Sequence, residues 1–205
     1  MNFDDLIVEK GARIDLETEK AVSKMTVGLG WDTLGGKDVD LDASLLMLKG
    51  GKLTDSKDVI YFGRTDSQCG GIHHTGDNLT GAGDGDDEQI QIDFSKIPAD
   101  YNKLVVLINS FNAKRTGINF GLLENAEARV FEGIAKHDAT NEELGEKVKA
   151  RILLGFDHSE STAVVIGVFE KHPSSGHWTF VNKTSEFGTI ADGLGEIKPI
   201  AESYQ

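Results

Sequence analysis

Thr75 to Glu88 reads Thr-Gly-Asp-Asn-Leu-Thr-Gly-Ala-Gly-Asp-Gly-Asp-Asp-Glu, with five carboxylates, one carboxamide and four glycines in fourteen residues. Oxygens at this density suit a hard divalent cation such as Ca2+, which takes about six to eight ligands from carboxylates, amides and backbone carbonyls. Asp, Asn and Gly all disfavour regular structure, so the segment is expected to be a loop, and the glycines let its backbone turn sharply. Without a cation, Asp84, Asp86, Asp87 and Glu88 set like charges side by side.

A second acidic cluster lies upstream at Lys37-Asp-Val-Asp-Leu-Asp-Ala-Ser44. Alternation in a strand places Asp38, Asp40 and Asp42 on one face and Val39, Leu41 and Ala43 on the other. Two such loops at one end of a sheet could complete an oxygen shell for one or two ions. The alternative is two solvated acidic loops.

Other chemistries fit less well. Asp77 to Glu88 has the length of an EF-hand loop, but Leu79 and Gly81 stand where that loop needs oxygen side chains, and a strand follows in place of a helix. Asp40-Leu-Asp-Ala-Ser44 with Gly83-Asp-Gly-Asp-Asp87 has the residue types of a Mg-dependent aspartyl phosphatase. That chemistry needs an apolar parallel strand before the first aspartate and helical crossovers, and neither is legible. Cys69, His73 and His74 could ligate Zn2+, although surface histidines account for them as well.

The elements that must position these loops are mostly strands. Met25 to Trp31 puts Met25, Val27, Leu29 and Trp31 on one face and leaves Thr26, Gly28 and Gly30 on a nearly bare one, where a neighbour could pack closely. Gln89 to Phe94 alternates strictly, and Leu104 to Ile108 is a continuous apolar run suited to a central strand. Ser44 to Lys49 closes at the turn signal Gly50-Gly51, and Val59 to Phe62 is a short strand ended by Gly63. Further strands are expected over 120–130, 151–154, 163–169 and 177–181, with a hairpin from Leu6 to Leu16 around Lys10-Gly11. Thr140-Asn-Glu-Glu143 has capping-box spacing and predicts a helix to about Lys149. The expected fold is mainly β, an antiparallel β-sandwich of two sheets with a short helix or two in connections, as one domain over 1–205.

With 21 basic and 34 acidic residues the formal charge is -13, which disfavours nucleic acid and anionic membrane surfaces as partners and favours cations. The single cysteine, Cys69, allows no intrachain disulfide. The first ten residues carry acids where a signal peptide would be basic, and no apolar run approaches a membrane span, so a cytoplasmic protein is expected.

Val27-Gly-Leu-Gly-Trp-Asp32, Asp40-Leu-Asp-Ala-Ser44 and the run from His74 to Glu88 resemble the TerD family of tellurite-resistance and general stress proteins, and the likeness continues through Pro98-Ala-Asp100, Asn119-Phe-Gly121 and Trp178-Thr-Phe180. The resemblance implies a β-sandwich that binds Ca2+ through its acidic loops, acts in a bacterial stress response, and works beside membrane-associated proteins of a tellurite-resistance operon. It implies metal ligands at Asp40, Asp42, Asp77, Asn78, Asp84, Asp86, Asp87 and Glu88, with Asp32 as a further candidate. The segment from Gly133 to Arg151 is longer than the family's usual connection, and the tail from Lys183 matches its glycine-rich ending loosely. The function expected is a non-enzymatic, Ca-dependent interaction module. The alternatives are a Ca-dependent module for a small anion or cyclic nucleotide, the latter because some relatives are described as cyclic-AMP binding, and then the phosphatase.

Overall fold

The computed structural model describes residues 3–16, 22–33, 38–154, 161–186 and 194–204. They form two antiparallel sheets. One has six strands: β1 (Arg13–Asp15), β11 (Trp178–Glu186), β10 (Ala163–Lys171), β7 (Lys103–Ser110), β3 (Leu41–Leu48) and β4 (Val59–Ile60), in that spatial order. The other has five: β5 (Ile72–His74), β6 (Glu88–Asp93), β2 (Lys24–Thr33), β8 (Leu123–Glu132) and β9 (Val148–Leu153).

Period-two alternation decides which side chains fill the space between the sheets. Met25, Val27, Leu29 and Trp31 of β2 and Ile90 and Ile92 of β6 meet Leu41, Ala43, Leu45 and Met47 of β3 and Leu104, Val106 and Ile108 of β7 in one core cluster. A bulge between Val165 and Gly167 shifts the phase of β10, so that Val164 and Ile166 face this core before the bulge and Phe169 faces it after.

The outward face of the six-stranded sheet is also apolar at one end. Leu46, Leu48, Val105 and Leu107 lie there under α3 (Leu194–Glu202), which contributes Ile197 and Ala201. Nothing in the sequence pattern predicted this helix, which carries Pro199 internally. Across the molecule, Phe131, Leu144 and Val148 form a smaller cluster with Phe3 and Leu6 against the five-stranded sheet.

The long strands fall where alternation put them, and Gly50 and Gly51 at φ 54° and 76° make the expected tight turn between Lys49 and Lys52. Two local expectations fail. Leu6 to Leu16 is not a hairpin: Ile7 bridges Arg151 beside β9, whereas Arg13 to Asp15 pair with β11. Each half satisfies its backbone at the free edge of a different sheet, and the chain crosses between them near Gly11. The helix opened by Thr140 has its full capping box, but α2 spans only Asn141–Leu144, because Gly145 leaves helical space at φ 54° and Val148 already begins β9.

Candidate metal centre

The nearly bare face of β2 is covered. A Cβ on Gly28 would lie 2.2 Å from the carboxylate of Asp86, and one on Gly30 would lie 2.3 Å from the carbonyl oxygen of Gly85. Only glycine at these two positions admits the acidic loop against the sheet. Backbone bonds from Asp87 N to Leu29 O and from Asp86 N to His137 O, both 2.8 Å, hold it between β2 and the segment after β8.

Asp40, Asp42 and Asp77 converge. One carboxylate oxygen from each lies within 4.8 Å of the others. Oδ1 of Asp40 and Oδ1 of Asp42 are buried and accept no hydrogen bond among the described residues, whereas Oδ2 of Asp42 accepts from Asn109 Nδ2 at 3.3 Å. Burial first, then the charges of Glu88, Asp40 and Asp77, push the Asp42 carboxyl up to about 8. Burial, with Asp77 and Glu88, raises that of Asp40 to about 6.

Glu88 stands beside this cluster but is committed to the backbone. Its Oε2 accepts from Ala43 N at 2.8 Å, and Asn78 N approaches its Oε1 at 3.4 Å. His74 Nδ1 accepts from Gly76 N, which places the ring proton on Nε2, 3.2 Å from Ala43 O. Thus both backbone groups of Ala43 on the side of β3 not paired with β7 are met by side chains from the other sheet.

The remaining candidates divide. Asn78 shapes the loop: its Oδ1 accepts from Thr80 N and Gly81 N, and its Nδ2 donates to Asp87 Oδ1 at 2.7 Å. Asp87 also accepts from Trp31 N at 3.0 Å, and burial outweighs that bond to raise its carboxyl to about 6. Asp86 is enclosed, accepting from Arg129 Nε at 2.7 Å and from Gln89 Nε2 at 2.8 Å. Its charge is therefore neutralised by a side chain. Asp32 and Asp84 lie apart from the Asp40 cluster, on a pocket of about 400 Å³ that Asp138 and Glu142 also line.

Arg129, Gln89 and Asn109 were not legible as parts of the site, and His74 stood out only as a soft-metal candidate and as the start of the family-like run. An arginine in a strand whose neighbours Ala128 and Val130 are buried was the one available signal. The soft-metal group does not form, because consecutive strand residues point to opposite faces: exposed His73 pairs with Asp66, His74 is buried, and Cys69 Sγ lies 3.4 Å from Ser67 Oγ.

The carboxylate cluster offers oxygen alone, a donor set that suits a hard cation, and two of its buried oxygens meet no hydrogen-bond donor among the described residues. The antiparallel pairing of β3 removes the parallel-strand setting that the phosphatase comparison required.

Comparison with known proteins agrees with this architecture. Residues 5–197 match the TerD domain. The chain is 39% identical over 201 residues to general stress protein 16U of Bacillus subtilis, covering 95% of this chain and 94% of that one. It is 34% identical over 177 residues to the tellurium resistance protein TerD of an Alcaligenes species, covering 84% and 86%. Stress response protein SCP2 of B. subtilis is 50% identical over 137 residues, which is 60% of this chain and 69% of the relative. A crystal structure of a Streptomyces coelicolor homologue of the telluride resistance protein superposes with a TM-score of 0.69 at 18% identity, covering 88% of this chain and 98% of that one, and so shares the fold. With a family match across nearly its whole length and relatives of this similarity, the chain belongs to the TerD family.

Proposed function

We propose that the protein is a Ca2+-binding, non-enzymatic module of the bacterial stress response, in which the bound ion orders an acidic surface for a partner protein. The observations that carry this reading are that Asp40, Asp42 and Asp77 each bring one carboxylate oxygen within 4.8 Å of the others, and that Asp40 and Asp42 each keep a buried oxygen without a hydrogen bond among the described residues. Asp40, Asp42 and Asp77 would hold the ion, with Glu88 and Asn109 fixing the backbone and carboxylate around it. The ion supplies positive charge where three carboxylates crowd together. Relatives named for general stress and for tellurium resistance support the physiological setting. Cytoplasmic residence and association with other proteins of a stress or tellurite-resistance operon belong to the same proposal. No helix among the described residues is long and apolar enough to cross a membrane.

Calorimetric titration of chelator-treated protein with Ca2+ and separately with Mg2+ tests the reading. Saturable heat with Ca2+ that vanishes in an Asp40→Asn, Asp42→Asn variant is the expected result. Absence of binding by the wild-type protein would overturn the reading and leave the two acidic clusters as structural features of the fold.

A further inference from the structure

The acidic loops occupy one end of the sandwich, and the other end presents a different chemistry. β3 runs from Leu41, beside the carboxylate cluster, to Leu48, whose carbonyl accepts from Asn102 N at 3.0 Å. A strand of this length separates the two ends by about 25 Å, roughly three Debye lengths at physiological salt. The overall charge of -13 is therefore screened at the far end, and the groups present there decide what binds.

A groove of about 860 Å³ opens there between the segment leading into β7 and the hairpin that joins β10 to β11, with Asn102, Lys103, Lys171, His172 and Ser174 among its lining. The hairpin tip is held by its own bonds: His172 N donates to His177 O at 2.7 Å, and Gly176 N donates to His172 O at 2.9 Å. Lys171 N donates to Asn102 O at 2.9 Å and ties one wall to the other. Both walls are fixed before anything enters, which lowers the ordering cost of binding.

Basic groups outnumber acids on this lining. Among the described residues its one carboxylate is Glu170, which Arg13 and Lys103 already engage at 3.0 and 3.9 Å. Lys171 holds its ammonium 5.5 Å from the centre of the Trp178 ring and has no carboxylate at salt-bridge distance among the described residues. His172 Nδ1 accepts from Ser175 N at 3.4 Å, which places the ring proton on Nε2 as a further donor. Asn102 adds an acceptor: its Oδ1 is buried and meets no donor among the described residues, although its backbone N–H and C=O are both bonded. An orphaned amide oxygen is costly, and an incoming N–H that it meets by rotating about a soft terminal torsion removes that cost. A simple anion satisfies the cations but not Asn102. A peptide with carboxylates on its side chains and N–H groups on its backbone satisfies both.

We infer that this groove receives an extended acidic segment of a partner protein, with carboxylates on Lys171, Lys103 and His172 and a backbone N–H on Asn102 Oδ1. None of these groups belongs to the carboxylate cluster at the opposite end. Binding here needs no Ca2+, and the inference stands apart from the metal reading.

The test follows backbone amide shifts by NMR while a capped hexapeptide of alternating aspartate and glycine is titrated into the full chain in the presence of chelator. Succinate and a single-stranded thymidine hexanucleotide serve as controls. The expected result is saturable shifts at Asn102, Lys103, Lys171 and His172 that weaken as salt is raised. Affinity should fall roughly tenfold in Lys171→Glu and roughly two- to tenfold in Asn102→Ala. The Asn102 side-chain oxygen has no bond to lose, so that variant keeps its fold, which thermal unfolding checks. Succinate bound as tightly as the peptide would reduce the groove to an anion patch, and tighter binding of the oligonucleotide would assign it to nucleic acid. Shifts at these residues on diluting the protein alone would make a second copy the occupant. Each of these outcomes overturns the inference, as would shifts that miss these residues or an affinity unmoved by both substitutions.

Discussion

Asp86 Oδ1 accepts a hydrogen bond from Arg129 Nε at 2.7 Å on the glycine face of β2, with both side chains almost wholly removed from water. The same guanidinium donates to Ala139 O at 2.7 Å and to Asn141 Oδ1 at 3.1 Å, so one arginine joins the acidic loop to the segment that precedes α2. Asp86 has a positive partner built into the sheet, in contrast with Asp40 and Asp42.

Replacing Arg129 alone leaves a buried, uncompensated carboxylate and should lower stability by about 3–5 kcal/mol. The paired change Arg129→Met, Asp86→Asn should recover part of that loss, since no lone charge remains. Urea denaturation of the two variants checks this; equal destabilisation by both would mean that the arginine acts by packing alone.

Gly28→Ala places a Cβ 2.2 Å from the Asp86 carboxylate, so the loop must move or the strand must bend. The expected cost is about 1–3 kcal/mol, the range for an overpacked interior. Gly11→Ala, at a position where a Cβ meets nothing within 4 Å, separates crowding from positive φ, because Gly11 at φ 89° bears only the second penalty. Thermal unfolding of both reports the difference.

The metal-free protein should lose stability as pH rises. The Asp42 carboxyl, raised to about 8, and that of Asp40, raised to about 6, hold protons in the folded state that the unfolded chain has already released. Their contribution is fully present below about pH 4 and is lost progressively as pH rises through 6 and then 8. Comparing chelated wild type with Asp42→Asn in denaturant melts across this window isolates the effect: the variant should be the more stable at the alkaline end, and parallel curves would refute the assignment.

Ca2+ affinity should rise over the same window, because the ion and the protons compete for the same oxygens. Titration in two buffers of different ionisation enthalpy should reveal proton release on binding near neutral pH, and less in Asp42→Asn, where Asp40, raised only to about 6, is the proton holder left of the pair.

Thr140→Ala removes the side-chain acceptor from Glu143 N and breaks half of the capping box, with an expected cost of about 1 kcal/mol. Leu144 of this turn packs on Phe131 and Val148, so hydrogen exchange should quicken there first.

Local patterns were legible wherever a residue's neighbours in sequence decide its environment. Alternation placed Val39, Leu41 and Ala43 inward and Asp40 and Asp42 away from them, and the bare face of Gly28 and Gly30 announced a close neighbour. What stayed hidden depends on distant partners. Asp86 looks like its neighbours Asp84 and Asp87 until Arg129, 43 residues later, folds beneath it. Leu6 to Leu16 reads as a hairpin because its alternation is genuine, but its two halves pair with Arg151 and with Phe180 and Val181. The capping box located the start of α2, but its end is set by the early onset of β9.

The grip on Ala43 has a consequence for how the molecule behaves among its own copies. On the N-terminal side of Leu45, no strand among the described residues pairs with β3 on the β4 side, and an exposed strand edge is a template onto which a second chain can add. At Ala43 the N–H and C=O that such a chain would seek are already taken by Glu88 and His74. Glu88 and His74 thus satisfy from inside the molecule a stretch of strand edge that has no strand partner, and Glu88→Ala would leave the Ala43 N–H without its acceptor as well as loosen the fold.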